Sequence, residues 1–229
     1  MSFRVIRELL GDLPNDKSPG WELVVNGIAK LADLPRSLEL VSKFGVFRWG
    51  WNGKYDTWGF EEAGGGGSVL VPFFQNEHGV PFVGVVMQMR PFQSEEPVWN
   101  VPRGFLDPGA THFESAKTEA SEELGVQNAD RIFELAGEPG NPNSTFFVTR
   151  GLQENGEAKG IRFWGVRFSE SEMVAEGENT FALREGVVSP VTDEAERIMG
   201  CKFIPASSVV KLGCLISCAG AGRLVGMVG

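Results

Sequence analysis

The stretch GFLDPGATHFESAKTEASEELGV, residues 104–126, decides the fold class. Thr111 followed three places later by Glu114 makes a capping box, and Gly125 supplies the residue on which a helix ends. Between them Phe113, Ala116, Ala120 and Leu124 recur at helical spacing and are expected to face a core. Glu119, Glu122 and Glu123, at i, i+3 and i+4, lie to one side of that stripe, so three carboxylates share one face. Before the helix, Pro102, Gly104, Pro108 and Gly109 mark a tight loop with close backbone approach. The unit reads as strand, tight loop, helix. Crowded carboxylates repel one another unless a cation or solvent offsets them, which leaves two readings: a divalent-metal site, or a solvated acidic helix face.

With those residues in place, the stretch resembles the signature of the Nudix hydrolase family: Gly, five residues, Glu, seven residues, then Arg-Glu-aliphatic-x-Glu-Glu-x-Gly-aliphatic. Gly104 fits the first glycine, Glu119 the Glu after the Arg, Ala120 the aliphatic position, Glu122 and Glu123 the Glu pair, and Gly125 with Val126 the close. The chain departs from the pattern at Ala110, where the family has Glu, and at Thr118, where it has Arg. In the family that Arg helps orient the catalytic glutamate and the first Glu supports the metal site. The resemblance implies an α/β fold, a Nudix-type α/β/α sandwich with a mixed sheet, preceded here by an N-terminal β-rich extension. It also implies Mg²⁺ or Mn²⁺ as cofactor, with Glu119, Glu122 and Glu123 as catalytic and metal-binding residues.

Flanking residues are similar to the ADP-ribose and nucleotide-sugar pyrophosphatase branch. Met89-Arg90-Pro91 stands where that branch has an Arg-Pro reaching the diphosphate, and Val101-Pro102-Arg103-Gly104 matches its Pro-x-Gly, whose middle carbonyl, here that of Arg103, is a metal ligand. Glu138-Pro139-Gly140 with Asn141-Pro142 resembles its later Pro-Gly loop. Arg90 and Arg103 are the candidate substrate-binding residues, since a guanidinium pairs phosphate oxygens bidentately; salt bridges to Asp107 or the glutamates are the plainer alternative. The implied function is metal-dependent cleavage of the pyrophosphate bond in a nucleoside diphosphate linked to another moiety. The alternatives are a Nudix-fold nucleotide-binding protein with weak or lost catalysis, and an interaction protein whose acidic helix is only surface. In that branch a late-loop glutamate acts on the water, and Glu178, Glu185, Asp193, Glu194 and Glu196 are the acids available for it here.

Composition agrees. A chain of 229 residues, 42% hydrophobic and 22% charged, buries one good core and a small appendage. The natural division is an extension over residues 1–60 and a catalytic domain over 61–229. The net charge of −9 argues against nucleic acid or an anionic membrane as partner. Three cysteines, Cys201, Cys214 and Cys218, with His78 and His112 elsewhere, make neither a disulfide scaffold nor a zinc module, so a reduced, cytoplasmic protein is expected. The N-terminus lacks the sustained apolar run of a secretion signal, and the apolar C-terminus is interrupted by Arg223 and several glycines.

Strands are expected near 21–25 and 44–51, in SVLVPFF and PFVGVVMQMR around an Asn76-Glu77-His78-Gly79 turn, and in IFELAGEPG, STFFVTRG, IRFWGVRF and RIMGCKFIP. The glycines at 64–67 are expected to form a flexible lead-in to the first core strand, and residues 206–225 a closing helix. Trp49, Trp51, Tyr55 and Trp58 suit a core or a homodimer interface, which makes the extension a candidate dimerisation element.

Overall fold

The protein was analysed as a computed structural model. It describes residues 64–89, 96–107, 109–137, 155–156, 160–190 and 198–228 in full, and four N-terminal strands by their backbone. Those four, β1 (Glu22–Val24), β2 (Ser37–Ser42), β3 (Gly45–Trp51) and β4 (Asp56–Glu62), form an antiparallel sheet in sequence order. The β-rich extension expected from the sequence is therefore present. Its register sets Trp49 opposite Trp58, while Tyr55 lies outside the described residues.

The second sheet is mixed. Its strands are β5 (Gly66–Gln75), β6 (Pro81–Gln88), β7 (Val98–Asn100), β8 (Arg103–Phe105), β9 (Ile132–Glu134), β10 (Gly160–Arg167), β11 (Met173–Gly177), β12 (Thr180–Leu183) and β13 (Gly200–Pro205). The order is β11-β12-β13-β6-β5-β10-β9, with β7 on β6 and β8 on β5. β10 runs parallel to β5 and the other pairings are antiparallel.

β5 explains why the sheet carries helices on both sides. It is buried along all but its last residue, as an apolar run covered on both faces should be. Leu70 and Phe74 join Ala116, Ala120 and Leu124 of α1 (His112–Leu124) in one core. Val69, Val71 and Phe73 join Ala206 and Val209 of α2 (Ala206–Val209), and Ala221 and Leu224 of α3 (Leu215–Val228), in the other. That alternation is the α/β/α sandwich. Burying each such large apolar side chain is worth roughly 1.5–3 kcal/mol, so the two-faced strand outweighs any single helix cap.

α1 begins and ends where the sequence places it. The Thr111 hydroxyl accepts from the Glu114 N–H while the Glu114 carboxylate accepts from the Thr111 N–H, and Gly125 closes the helix with φ 68°. The buried stripe, however, is His112, Ser115, Ala116, Ala120, Glu123 and Leu124. Phe113, expected inside, is 38% exposed, with its ring 5.3 Å from that of Trp164. At about 100° per residue it falls inside the arc that the buried residues span, between Ala120 and Leu124, so helical periodicity alone does not account for its exposure.

Two other expectations are corrected. Gly66 and Gly67 are no flexible lead-in: they belong to β5, opposite Gly160 and Ile161, and a Cβ on Gly66 would stand 1.7 Å from the Gly160 carbonyl oxygen. The glycines let two parallel strands start close together. The closing helix is broken at Gly213 (φ 75°), which separates α2 and a 3-10 turn from α3. STFFVTRG and the Glu138–Pro142 region lie outside the described residues. Cys201, Cys214 and Cys218 are free thiols, and no helix among the described residues is long and apolar enough to cross a membrane.

A Cβ on Gly125 would meet the Ser189 carbonyl oxygen at 1.9 Å on a backbone that L side chains avoid. Gly125→Ala is therefore expected to lower stability by about 1–3 kcal/mol, read from the urea unfolding midpoint at unchanged slope.

Candidate active site

The candidate site is built where the loop before β8 meets α1. β7 ends at Asn100, and each backbone N–H of the next three residues that exists has a partner. Val101 N–H donates to the Ser217 hydroxyl of α3 at 3.0 Å, Pro102 has none, and Arg103 N–H donates to Glu123 Oε2 at 3.2 Å. The Pro102 carbonyl accepts from Leu70 N–H at 2.9 Å, so β5 holds the loop from below. Pro102 thus contributes rigidity without leaving a buried donor unpaired.

Gly104 follows, and it is a glycine for a spatial reason. A Cβ there would lie 1.6 Å from Glu119 Oε1, so the Glu119 carboxylate is seated against the Gly104 backbone. Two positions of the signature, separated by fourteen intervening residues, are thus in direct contact. Glu119 is half-buried, Glu122 exposed and Glu123 buried at 1% exposure. The helix face therefore grades from solvent to core instead of presenting three equal carboxylates.

Glu123 has a constructed environment. Its Oε1 accepts from Gln88 Nε2 at 2.6 Å and its Oε2 from the Arg103 N–H. Gln88 is itself 1% exposed, at the end of β6. A buried carboxylate is tolerable when donors satisfy it. The helix start is tied down as well: His112, also 1% exposed, sets Nε2 2.9 Å from the Gly160 carbonyl, and its own carbonyl accepts from the Ser68 hydroxyl at 2.7 Å. At the cap, hydrogen bonds from the Thr111 N–H, and then from its hydroxyl, hold the Glu114 carboxyl below its ordinary value.

The Arg103 guanidinium lies 5.5 Å from the Phe105 ring centre. Arg90 falls outside the described residues, as do Asp193, Glu194 and Glu196. Glu178 sits exposed in the turn between β11 and β12, and Glu185 is exposed just beyond β12. The two departures from the signature converge: Ala110 and Thr118 line one groove of about 570 Å³, together with Lys117, Ser121, Glu122 and Ile132.

Among the described residues no three His, Cys, Asp or Glu side chains are gathered closely enough to hold a metal ion. The donor chemistry nevertheless suits Mg²⁺ or Mn²⁺, which take hard carboxylate oxygens. Mg²⁺ in particular is commonly bound through one or two carboxylates, completing its shell with water and substrate phosphates. Glu119, at the loop, and Glu122, in solvent, fit that pattern without a preformed cage. Sequence reasoning missed Gln88 and Ser217. Each is a fully buried polar residue in an otherwise apolar strand or helix, and that oddity was the available signal.

Neighbouring glutamates should behave differently. Glu123→Ala leaves the Arg103 N–H and the Gln88 amide without their carboxylate and is expected to cost about 1–3 kcal/mol in chemical denaturation. Glu122→Ala, at an exposed position, should change stability by no more than about 0.5 kcal/mol. Equal costs would refute the unequal burial.

No family model matches the chain, and no curated protein matches it. Among solved structures it is similar to an ADP compounds hydrolase over 93% of this chain and 96% of that one, at 9% identity and a TM-score of 0.45. It is similar to the NUDIX domain of Shewanella oneidensis NrtR complexed with ADP ribose, over 72% of this chain and 88% of that one, at 14% identity and a TM-score of 0.42. RenU, a Nudix hydrolase from M. smegmatis, is similar over 76% of this chain and 89% of its own, at 13% identity and a TM-score of 0.39. TM-scores below 0.5 leave these likenesses too loose to carry a conclusion about this chain, and its own residues carry the reading of the site.

Proposed function

We propose that the chain is a Nudix-type hydrolase that cleaves the pyrophosphate bond of a nucleoside diphosphate linked to another moiety, ADP-ribose or a nucleotide sugar, with Mg²⁺ or Mn²⁺. The observation that carries the reading is the seating of Glu119 on Gly104. The reading is supported by a loop whose Val101 and Arg103 backbone N–H groups are paired and by a helix stopped at Gly125, which together hold that carboxylate beside the loop. Glu119 and Glu122 would hold the metal, and Glu123 would hold the loop. When bound, the metal supplies charge neutralisation to the diphosphate and acidifies the attacking water. The chain's own part is to orient that water through a carboxylate and to grip phosphate oxygens with Arg90 and Arg103. Since the chain is acidic overall, recognition of an anionic substrate has to come from such local groups.

The reading is tested by steady-state kinetics with Mg²⁺ and Mn²⁺ across ADP-ribose, nucleotide sugars, dinucleoside polyphosphates and nucleoside triphosphates. Wild type should prefer the first two. Arg90→Ala removes a charge-assisted contact worth about 1.5–3 kcal/mol, so kcat/KM should fall roughly ten-fold or more. Gly104→Ala should abolish most turnover while the protein stays folded, because the added methyl meets the end of a flexible side chain and displaces Glu119. A preference for triphosphates, or full activity in Gly104→Ala, would sink the assignment.

The second reading is a nucleotide-binding protein of the same fold with weak or lost turnover. It is favoured by the groove that Ala110 and Thr118 share, since the family pattern has Glu and Arg at those two positions. If their absence limits catalysis, Ala110→Glu with Thr118→Arg should raise kcat on ADP-ribose, because misplacement of a catalytic group is expensive even when the group is present. A folded double variant with no gain would instead mean that other residues have taken over the site.

A further inference from the structure

We infer that Gln88 is a positioning residue for this site, acting through Glu123 on the Pro102–Arg103 peptide. The inference takes the loop as the active site and so rests on the reading above. Gln88 Nε2 reaches Glu123 Oε1 at 2.6 Å, and the other oxygen, Oε2, takes the Arg103 N–H at 3.2 Å. A carboxylate held at one oxygen has its plane set, which fixes where the other can accept. The amide at the end of β6 therefore fixes the Pro102–Arg103 peptide, one residue ahead of the Gly104 on which Glu119 rests. Both members of the pair are 1% exposed, so water cannot replace either bond. Gln88 is also the polar terminus of the apolar strand PFVGVVMQ, a place where packing alone would select an apolar residue.

The test compares three proteins by amide hydrogen exchange at Arg103. Gln88→Met keeps the length of the side chain and removes the donor. The exchange of Gln88→Glu with Glu123→Gln restores both bonds in reverse: the amide now on the helix donates to the carboxylate now on the strand, and its carbonyl oxygen accepts the Arg103 N–H. In Gln88→Met the Arg103 amide should exchange roughly ten-fold faster, while core amides of β5 stay as in wild type. The swapped pair should return Arg103 toward wild-type protection. Unchanged exchange at Arg103 in Gln88→Met, or a swapped pair as fast as Gln88→Met, overturns the inference. Should Gln88→Met fail to fold, Gln88→Asn, which withdraws the amide by one methylene, is judged by the same readout.

Kinetics with ADP-ribose and Mg²⁺ supply the second arm. Gln88→Met should lower kcat with KM changed by no more than about two-fold, the mark of lost alignment. A raised KM at constant kcat would make Gln88 a substrate contact and overturn a positioning role. A wild type that hydrolyses none of the nucleotides tested defeats the hydrolase reading, while hydrogen exchange still decides the role of Gln88.

Discussion

One buried carboxylate ties together the parts on which the candidate site depends. Glu123 projects from α1 into the sheet and accepts from Gln88 at the end of β6 and from the Arg103 N–H at the start of β8. A helix, a central strand and a loop are thereby fixed to one another through a carboxylate, a side-chain amide and a backbone N–H. Charge-assisted hydrogen bonds of this kind are worth more than neutral ones, and removing one partner leaves buried donors that water cannot reach. The apolar packing of α1 on β5 brings the helix to the sheet. Hydrophobic contact is non-directional, so the pair of bonds at Glu123 is what sets the loop's angle.

The three glutamates differ in burial because of their angular positions on the helix, Glu123 near the centre of the buried arc and Glu122 farthest from it. Glu123 is inside, Glu119 lies against Gly104 at the boundary, and Glu122 faces solvent beside the groove that Ala110 and Thr118 line. Mutual repulsion is lessened by that gradation, since the carboxylates sit at different depths and Glu122 is exposed, where solvent screens its charge. A divalent cation that completes its shell with substrate phosphates needs no closed cage of side chains. The arrangement thus suits a cation that arrives with an anionic substrate.

Rigidity around the loop comes from several directions. Ser217 of α3 accepts the Val101 N–H, Leu70 of β5 donates to the Pro102 carbonyl, and His112 anchors the helix start to β10. Sites held by regular elements keep their geometry better than sites on free loops. Here a short segment is held by both helical layers and the sheet between them.

Much of this was legible along the chain. Thr111 with Glu114, and Gly125, bound the helix correctly because capping acts between residues three or four apart. SVLVPFF likewise read as a strand, and the structure adds that both its faces are covered. What the sequence could not determine is which polar residues become buried and what they meet there. Phe113 is part-exposed and Glu123 inside, a difference that follows from where α1 meets the core of Leu70, Phe74 and Trp164 and that periodicity alone does not specify. Gln88 and Ser217 acquire their roles from partners 35 and 116 residues away. Gly66 and Gly67 belong to a strand because Gly160 and Ile161 run beside them. Local signals such as caps, periodicity and turns are short-range and survive in the linear chain, whereas the pairing of buried donors with acceptors exists only once distant segments share a volume from which water is excluded.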